Sequence, residues 1–147
     1  MRLRPYSATV LALGGALIAS LGLYFLFLRP PLLPEDLRSM GTSLTQIQAT
    51  MPSLLIWLRR VFWVMGGYMF ATGLLTLYVA ITSFRARVRG VAGVVALVGL
   101  TSIGWMAAIN FVIGSDFKWL ILIFVVPWIL ALVLYHVEGN ASARRTA

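Results

Sequence analysis

Residues 119–137 read WLILIFVVPWILALVLYHV, a run that contains no Asp, Glu, Lys or Arg. A helix rises about 1.5 Å per residue, so about 20 apolar residues cross the roughly 30 Å of hydrocarbon in a bilayer. Three further uncharged runs precede it, at residues 6–28, 61–84 and 90–115. Lipid-exposed backbone must satisfy its own hydrogen bonds, and these runs lack the alternation of barrel strands. The sequence therefore predicts an all-α integral membrane protein, a single domain over residues 1–147 that forms a four-transmembrane-helix bundle.

The composition agrees with a lipid environment. The chain is 61% hydrophobic and 11% charged, whereas soluble domains have about 25% charged residues. The net charge of +8 is dispersed between apolar runs, which does not favour binding to nucleic acid. The absence of cysteine excludes disulfides, thiolate metal sites and cysteine nucleophiles.

The basic residues predict the orientation of the helices. Seven of them fall on the side of the termini and the second loop: Arg2, Arg4, Arg85, Arg87, Arg89, Arg144 and Arg145. Five fall on the other side: Arg29, Arg38, Arg59, Arg60 and Lys118. The positive-inside rule then places both termini in the cytoplasm, and the short arginine-rich second loop is typical of a bacterial inner (plasma) membrane. The first run is longer than a signal-peptide core and has no clear cleavage site, so it is expected to stay as an anchor.

The first extracytoplasmic loop, residues 29–60, contains a predicted amphipathic helix over residues 35–51. Its apolar positions recur at spacings of three and four: Leu37, Met40, Leu44, Ile47 and Met51. Gly41 weakens this helix, because glycine is a poor helix former. The helix is expected to lie at the membrane interface or over the mouth of the bundle. An alternative is that its apolar face docks a partner. Pro52 is suited to the first turn of a further helix that runs into the second span.

Polar residues at the predicted outer ends of the helices form a candidate site for a ligand or lipid headgroup. They are Arg59, Arg60, Asn110, Asp116 and Lys118, with Glu35 and Asp36 at the start of the loop helix. In this hypothesis an arginine holds an anion and Asn110 orients it. The alternative is that the bases contact lipid phosphates, the acids pair with them, and Asn110 bonds across helices.

Small residues at four-residue spacing predict where the helices approach closely. In the first span these are Ala12, Ala16 and Ser20, and in the second Gly67 and Ala71.

The sequence contains no recognisable catalytic or cofactor motif. The zinc-peptidase, serine-hydrolase and P-loop patterns are all absent, and the only histidine is His136. The carboxylates lie outside the apolar runs, whereas proton-coupled transporters place an ionisable group within them. No cofactor or metal is expected.

Three classes of function therefore remain open. The first is a non-enzymatic accessory or interaction subunit of a membrane complex, with membrane lipids and a membrane-protein partner or a second copy as contacts. The alternative is a lipid- or small-amphiphile-binding or transport protein that uses the outer polar cluster. A membrane enzyme is the least favoured class.

Overall fold

The computed structural model describes residues 6–146, with side chains described from 6 to 141. Arg2 and Arg4 of the orientation prediction lie outside these residues, as do the side chains of Arg144 and Arg145. Within residues 6–146 every regular element is helical. The helices are α1 (Tyr6–Phe27), α2 (Pro34–Met40), α3 (Leu44–Thr50), α4 (Ser53–Phe84), α5 (Val91–Val112) and α6 (Lys118–Thr146).

Four of these helices, α1, α4, α5 and α6, are long and apolar enough to cross a membrane, which confirms the prediction of an all-helical chain with four such segments. The predicted fusion of residues 53–60 with the second span is also confirmed, because α4 is continuous from Ser53 to Phe84 over 32 residues. The last turn of α4, Ala80–Phe84, and the middle of α5, Leu100–Gly104, are π-helical. Pro127 lies inside α6 without ending it.

Helix α1 occupies the centre of the arrangement. It packs most extensively against α4 on one side and against α6 on the other, while α5 packs on α6. Helix α4 meets α5 through its last turn, Ala80–Phe84, next to the loop that joins the two helices. The order across the molecule is therefore α4, α1, α6 and α5, and α4 is an edge helix.

The contact between α1 and α4 is built from glycines on both helices. A Cβ atom added at Gly66 would lie 2.8 Å from the carbonyl oxygen of Gly22, and one at Gly15 would lie 2.9 Å from the carbonyl oxygen of Gly73. Both distances are shorter than ordinary van der Waals contact. Only glycine therefore allows the two backbones to touch, as is common where membrane helices pack closely.

The small residues predicted for close approach are not the ones that form this contact. Nothing lies within 4 Å of a Cβ atom added at Gly67, and Ala71 and Ser20 are exposed. On each helix the contact instead uses two glycines that are seven residues apart: Gly15 and Gly22 on α1, and Gly66 and Gly73 on α4. The search for small residues at four-residue spacing pointed to a neighbouring face of each helix, because that face carries small residues too.

Trp128 fills the space between α1, α5 and α6. Its side chain is 3% exposed, and Cβ atoms added at Gly14 and Gly99 would lie 3.2 Å and 2.6 Å from the indole. The two glycines therefore form the walls of the slot that holds the ring. The same core also contains Leu11 of α1, Ala80 and Phe84 of α4, and Val95 of α5. These residues lie closer than Trp128 to the end of the molecule where α1 begins.

The loop between α1 and α4 contains two short helices instead of the single helix predicted over residues 35–51. Gly41 ends α2 in the left-handed conformation, with φ of 65°. Ser43 then starts α3, because its hydroxyl oxygen accepts a hydrogen bond from the backbone N–H of Gln46 at 3.2 Å. A left-handed glycine followed by a serine cap turns the chain, so the apolar positions before and after Gly41 do not share one helix face.

Candidate functional site

Polar interactions gather at the two ends of the long helices. We call the end with residues 28–60 and 113–118 the loop end, and the end with Tyr6, residues 85–90 and Glu138 the termini end. Residues 6–141 contain no group of three or more His, Asp or Glu side chains placed to hold a metal ion.

Helix α2 is attached to the turn between α5 and α6. Glu35 is 3% exposed and accepts a hydrogen bond from the hydroxyl of Ser115 at 3.4 Å, and Ser115 is itself 1% exposed. One turn further along, Arg38 pairs with Asp116 at 2.7 Å across the surface. The hydrogen bond to Asp116 raises the pKa of the Arg38 guanidinium above its ordinary value. The two contacts fix α2 over the ends of α5 and α6.

Arg29 attaches the other side of α2 to α1 and α4. Its side chain is only 9% exposed and pairs with Asp36 at 3.2 Å. The guanidinium lies over the ring of Phe62 in α4, 3.5 Å from its centroid, which adds a cation–π contact. Asp36 also accepts a hydrogen bond from the backbone N–H of Leu33 at 2.9 Å and so caps α2. From the sequence, Arg29 was used only to predict the orientation of the helices. The one sequence signal for its ion pair was Asp36, seven residues later.

The packing of α2 and α3 covers part of the predicted partner-docking face and leaves the rest exposed. Ile47 is 5% exposed and belongs to the interior, and Leu37 is half-buried. Met40, Leu44 and Met51 are 50%, 42% and 56% exposed. Three of the five residues therefore offer apolar side chains to the surroundings, and the other two hold the segment in place.

The structure brings few of the predicted headgroup-site residues together. Asp116 pairs with Arg38, which was not in the predicted set, and the Asn110 amide donates a hydrogen bond to the carbonyl of Met106 in its own helix. Arg59 and Arg60 are exposed, and neither forms an ion pair with another residue in the range 6–141. Lys118 is half-buried at the start of α6.

The termini end has a cluster that sequence reasoning missed, which we call the termini clasp: Ser7, Arg87 and Glu138. The Glu138 carboxylate accepts two hydrogen bonds from Ser7, one from its backbone N–H at 3.1 Å and one from its hydroxyl at 2.7 Å. It also pairs with Arg87 at 3.3 Å. A carboxylate at the first turn of α1 is favoured by the helix dipole. The clasp therefore joins α1, the loop after α4, and α6.

Arg87 is held in this clasp by more than its charge. Its guanidinium donates a hydrogen bond to the backbone carbonyl of Tyr135 at 2.8 Å and lies 4.3 Å from the centre of the Tyr135 ring. The backbone of Arg87 is left-handed, with φ of 56°, a conformation that costs a non-glycine residue about 1–2 kcal/mol. The only signal in the sequence was an isolated acid, Glu138, close to the end of an apolar run.

Comparison of this chain with protein-family models, with curated proteins and with solved structures finds no match.

Proposed function

We propose that this chain is a multi-pass protein of a bacterial inner (plasma) membrane, with both termini in the cytoplasm and the loop end outside. Four long apolar helices support insertion in a membrane. The distribution of basic residues, seven on the termini side against five on the loop side, supports the orientation.

Within this membrane, the chain acts as a non-enzymatic accessory or interaction subunit of a larger complex. The observation that carries this proposal is that α2 is anchored on two sides while apolar side chains next to it stay exposed. Arg29 and Glu35 hold α2 to the long helices, and Met40, Leu44 and Met51 are 42–56% exposed. A surface that is already ordered loses little conformational entropy on binding, so apolar contacts made there contribute more to affinity.

The partner we propose is another membrane protein with an apolar surface outside the bilayer. Exposed methionines suit such a contact, because their flexible thioether side chains adapt to the shape of a partner. The interfacial position predicted for the loop fits this role, since residues at the membrane surface meet the extramembrane part of a neighbouring subunit. A second copy of this chain would use the same surface, and the experiment below separates the two.

The test is cross-linking in the native membrane, which the absence of cysteine makes simple. The variant Leu44→Cys places a single thiol on the exposed apolar face of α3, and Gln48→Cys places one on an exposed polar position of the same helix. A thiol-reactive photocross-linker should capture one distinct polypeptide from Leu44→Cys and much less from Gln48→Cys. A product of twice the mass of the chain would assign the surface to a homo-oligomer. Equal capture from both positions, or none from either, would refute the docking surface.

A second candidate function is the binding of a lipid or small amphiphile at the loop end. The observation in its favour is that Arg59 and Arg60 are exposed and carry positive charge that no acid in the described side chains balances. This candidate predicts that the purified chain retains a defined amphiphile even where no second polypeptide is captured.

A further inference from the structure

The two arginines at the start of α4 differ from the other two arginines of the loop end in their pairing. Arg29 is 9% exposed and paired with Asp36, and Arg38 is paired with Asp116. Arg59 and Arg60 are both exposed, and no acid in residues 6–141 pairs with either guanidinium. Two adjacent positive charges therefore remain available for an anion from outside the chain.

The length of α4 places these arginines at a defined depth, if the helix spans the bilayer as proposed above. Arg60 and Arg85 bracket its apolar stretch and are 25 residues apart, which corresponds to roughly 37 Å along a helix. The hydrocarbon core is roughly 30 Å thick, and the bilayer with its headgroups about 40–45 Å. With Arg85 in one headgroup layer, Arg60 lies in the opposite one, level with the lipid phosphates.

Two tryptophans flank the arginines on the same helix. Trp57 lies three residues before Arg60, and Trp63 lies four residues after Arg59, so each indole shares a helix face with a guanidinium. The indoles are 59% and 50% exposed. Trp63 lies three residues beyond Arg60 towards the bilayer centre. Tryptophan is enriched where hydrocarbon meets headgroups, so this indole favours the acyl and glycerol region below a bound phosphate. Trp57 lies three residues before Arg60, on the headgroup side of the arginines.

The side of α4 that faces α1 is occupied by protein from Phe62 onward. Phe62 packs against Phe25 of α1, with ring centroids 6.1 Å apart, and a Cβ atom at Gly66 would touch the backbone of α1. Arg59 is seven residues before Gly66 and so lies on this same side of the helix, yet its side chain is exposed. Arg60 points about 100° away from Arg59 and is exposed as well.

We propose that Arg59 and Arg60, with Trp57 and Trp63, form a binding site for the headgroup of an anionic phospholipid in the outer leaflet. Guanidinium groups bind phosphate through paired N–H donors, and two uncompensated charges favour a headgroup with net negative charge over a zwitterionic one. This inference deepens the second candidate function and rests on the proposed orientation. It replaces the earlier hypothesis that Asn110 orients the ligand, because the Asn110 amide is hydrogen-bonded within its own helix.

The experiment uses the full chain in nanodiscs of phosphatidylcholine that contain a minority of phosphatidylglycerol with a photoreactive group near its phosphate. Adducts are mapped by mass spectrometry to residues 57–63 and, separately, to residues 85–90. We expect the variant Arg59→Gln/Arg60→Gln to lower the adduct yield at residues 57–63 on the order of tenfold, given the attraction of each arginine to an anionic surface. The yield at residues 85–90 should not change.

The matched control is Arg85→Gln/Arg89→Gln, which removes two exposed arginines at the other end and should leave labelling at residues 57–63 intact. The inference is wrong if the first variant leaves that labelling unchanged, or if a photoreactive phosphatidylcholine labels the segment equally well. Loss of labelling on addition of inorganic phosphate would assign the site to a soluble anion. None of these readings depends on capture of a partner at Leu44, so the accessory role and the lipid site can fail separately.

Discussion

The substitution Gly66→Ala tests whether direct backbone contact holds α1 and α4 together. Its Cβ atom would lie 2.8 Å from both the carbonyl oxygen of Gly22 and the backbone nitrogen of Leu26. Neither atom can move without the helix that carries it. The adjacent residue Gly67 is a matched control, because a Cβ atom there meets nothing within 4 Å.

The magnitude follows from the separation that the new methyl group requires. Ordinary contact begins at 3.4 Å, so the helices must move apart by roughly 0.6 Å, and overpacking of this kind costs about 1–3 kcal/mol. Both substitutions also gain up to about 1 kcal/mol of helix propensity. We therefore expect Gly66→Ala to be less stable than Gly67→Ala by about 1–3 kcal/mol, because the propensity gain is common to both.

The assay is reversible unfolding in mixed micelles with increasing SDS, followed by near-ultraviolet circular dichroism for the two variants and the parent chain. Gly67→Ala should match or exceed the parent chain in stability, and Gly66→Ala should unfold at lower SDS than Gly67→Ala. Equal midpoints for the two variants would show that α1 and α4 do not touch through their backbones, and the order of helices described above would have to be revised.

Three further substitutions test other parts of the structure. Arg29→Gln removes the ion pair with Asp36 and the contact with a phenyl ring, and should lower the free energy of unfolding by about 1–3 kcal/mol in the same SDS assay; an unchanged midpoint would mean that α2 is not held through this residue. Glu138→Ala leaves Ser7 and Arg87 without their shared acceptor and should speed hydrogen exchange of the first turn of α1, measured by mass spectrometry, whereas protection equal to the parent chain would contradict the termini clasp. Arg85→Gln/Arg89→Gln lowers the number of basic residues on the termini side from seven to five, which equals the number on the loop side. A reporter fused to the C-terminus should then appear on both sides of the membrane. An unchanged single orientation would show that other features decide the topology.

The sequence was sufficient to predict the four long helices, because each is an uncharged apolar run of the length that a bilayer requires. It also predicted that α4 begins near Pro52 and continues through Arg59 and Arg60. The single loop helix was wrong, since periodicity alone did not show that Gly41 would adopt a left-handed conformation followed by a cap at Ser43. The small residues chosen from the sequence are not those of the α1–α4 contact, because more than one face of α1 and of α4 carries small residues.

Pairings between distant charges were the least predictable part of the site. Arg38 and Asp116 are 78 residues apart, and Ser7 and Glu138 are 131 residues apart, so no local pattern connects them. The sequence grouped Asp116 with Arg59 and Arg60 because all three were expected at the same end of the helices. Which of the nearby bases pairs with Asp116 depends on where α2 crosses the end of the molecule, and that path follows from the turn at Gly41.

The central position of α1 also bears on how the protein is made. The ribosome releases α1 before α4, and α4 before α6, so the side of α1 that faces α4 is covered early in synthesis, whereas the slot beside Gly14 stays empty until Trp128 emerges. A nascent chain that stops before residue 128 would therefore expose one completed and one uncovered face of the same helix. Such an intermediate is the species that cellular quality control is expected to remove, and the emergence of α6 ends this vulnerable period.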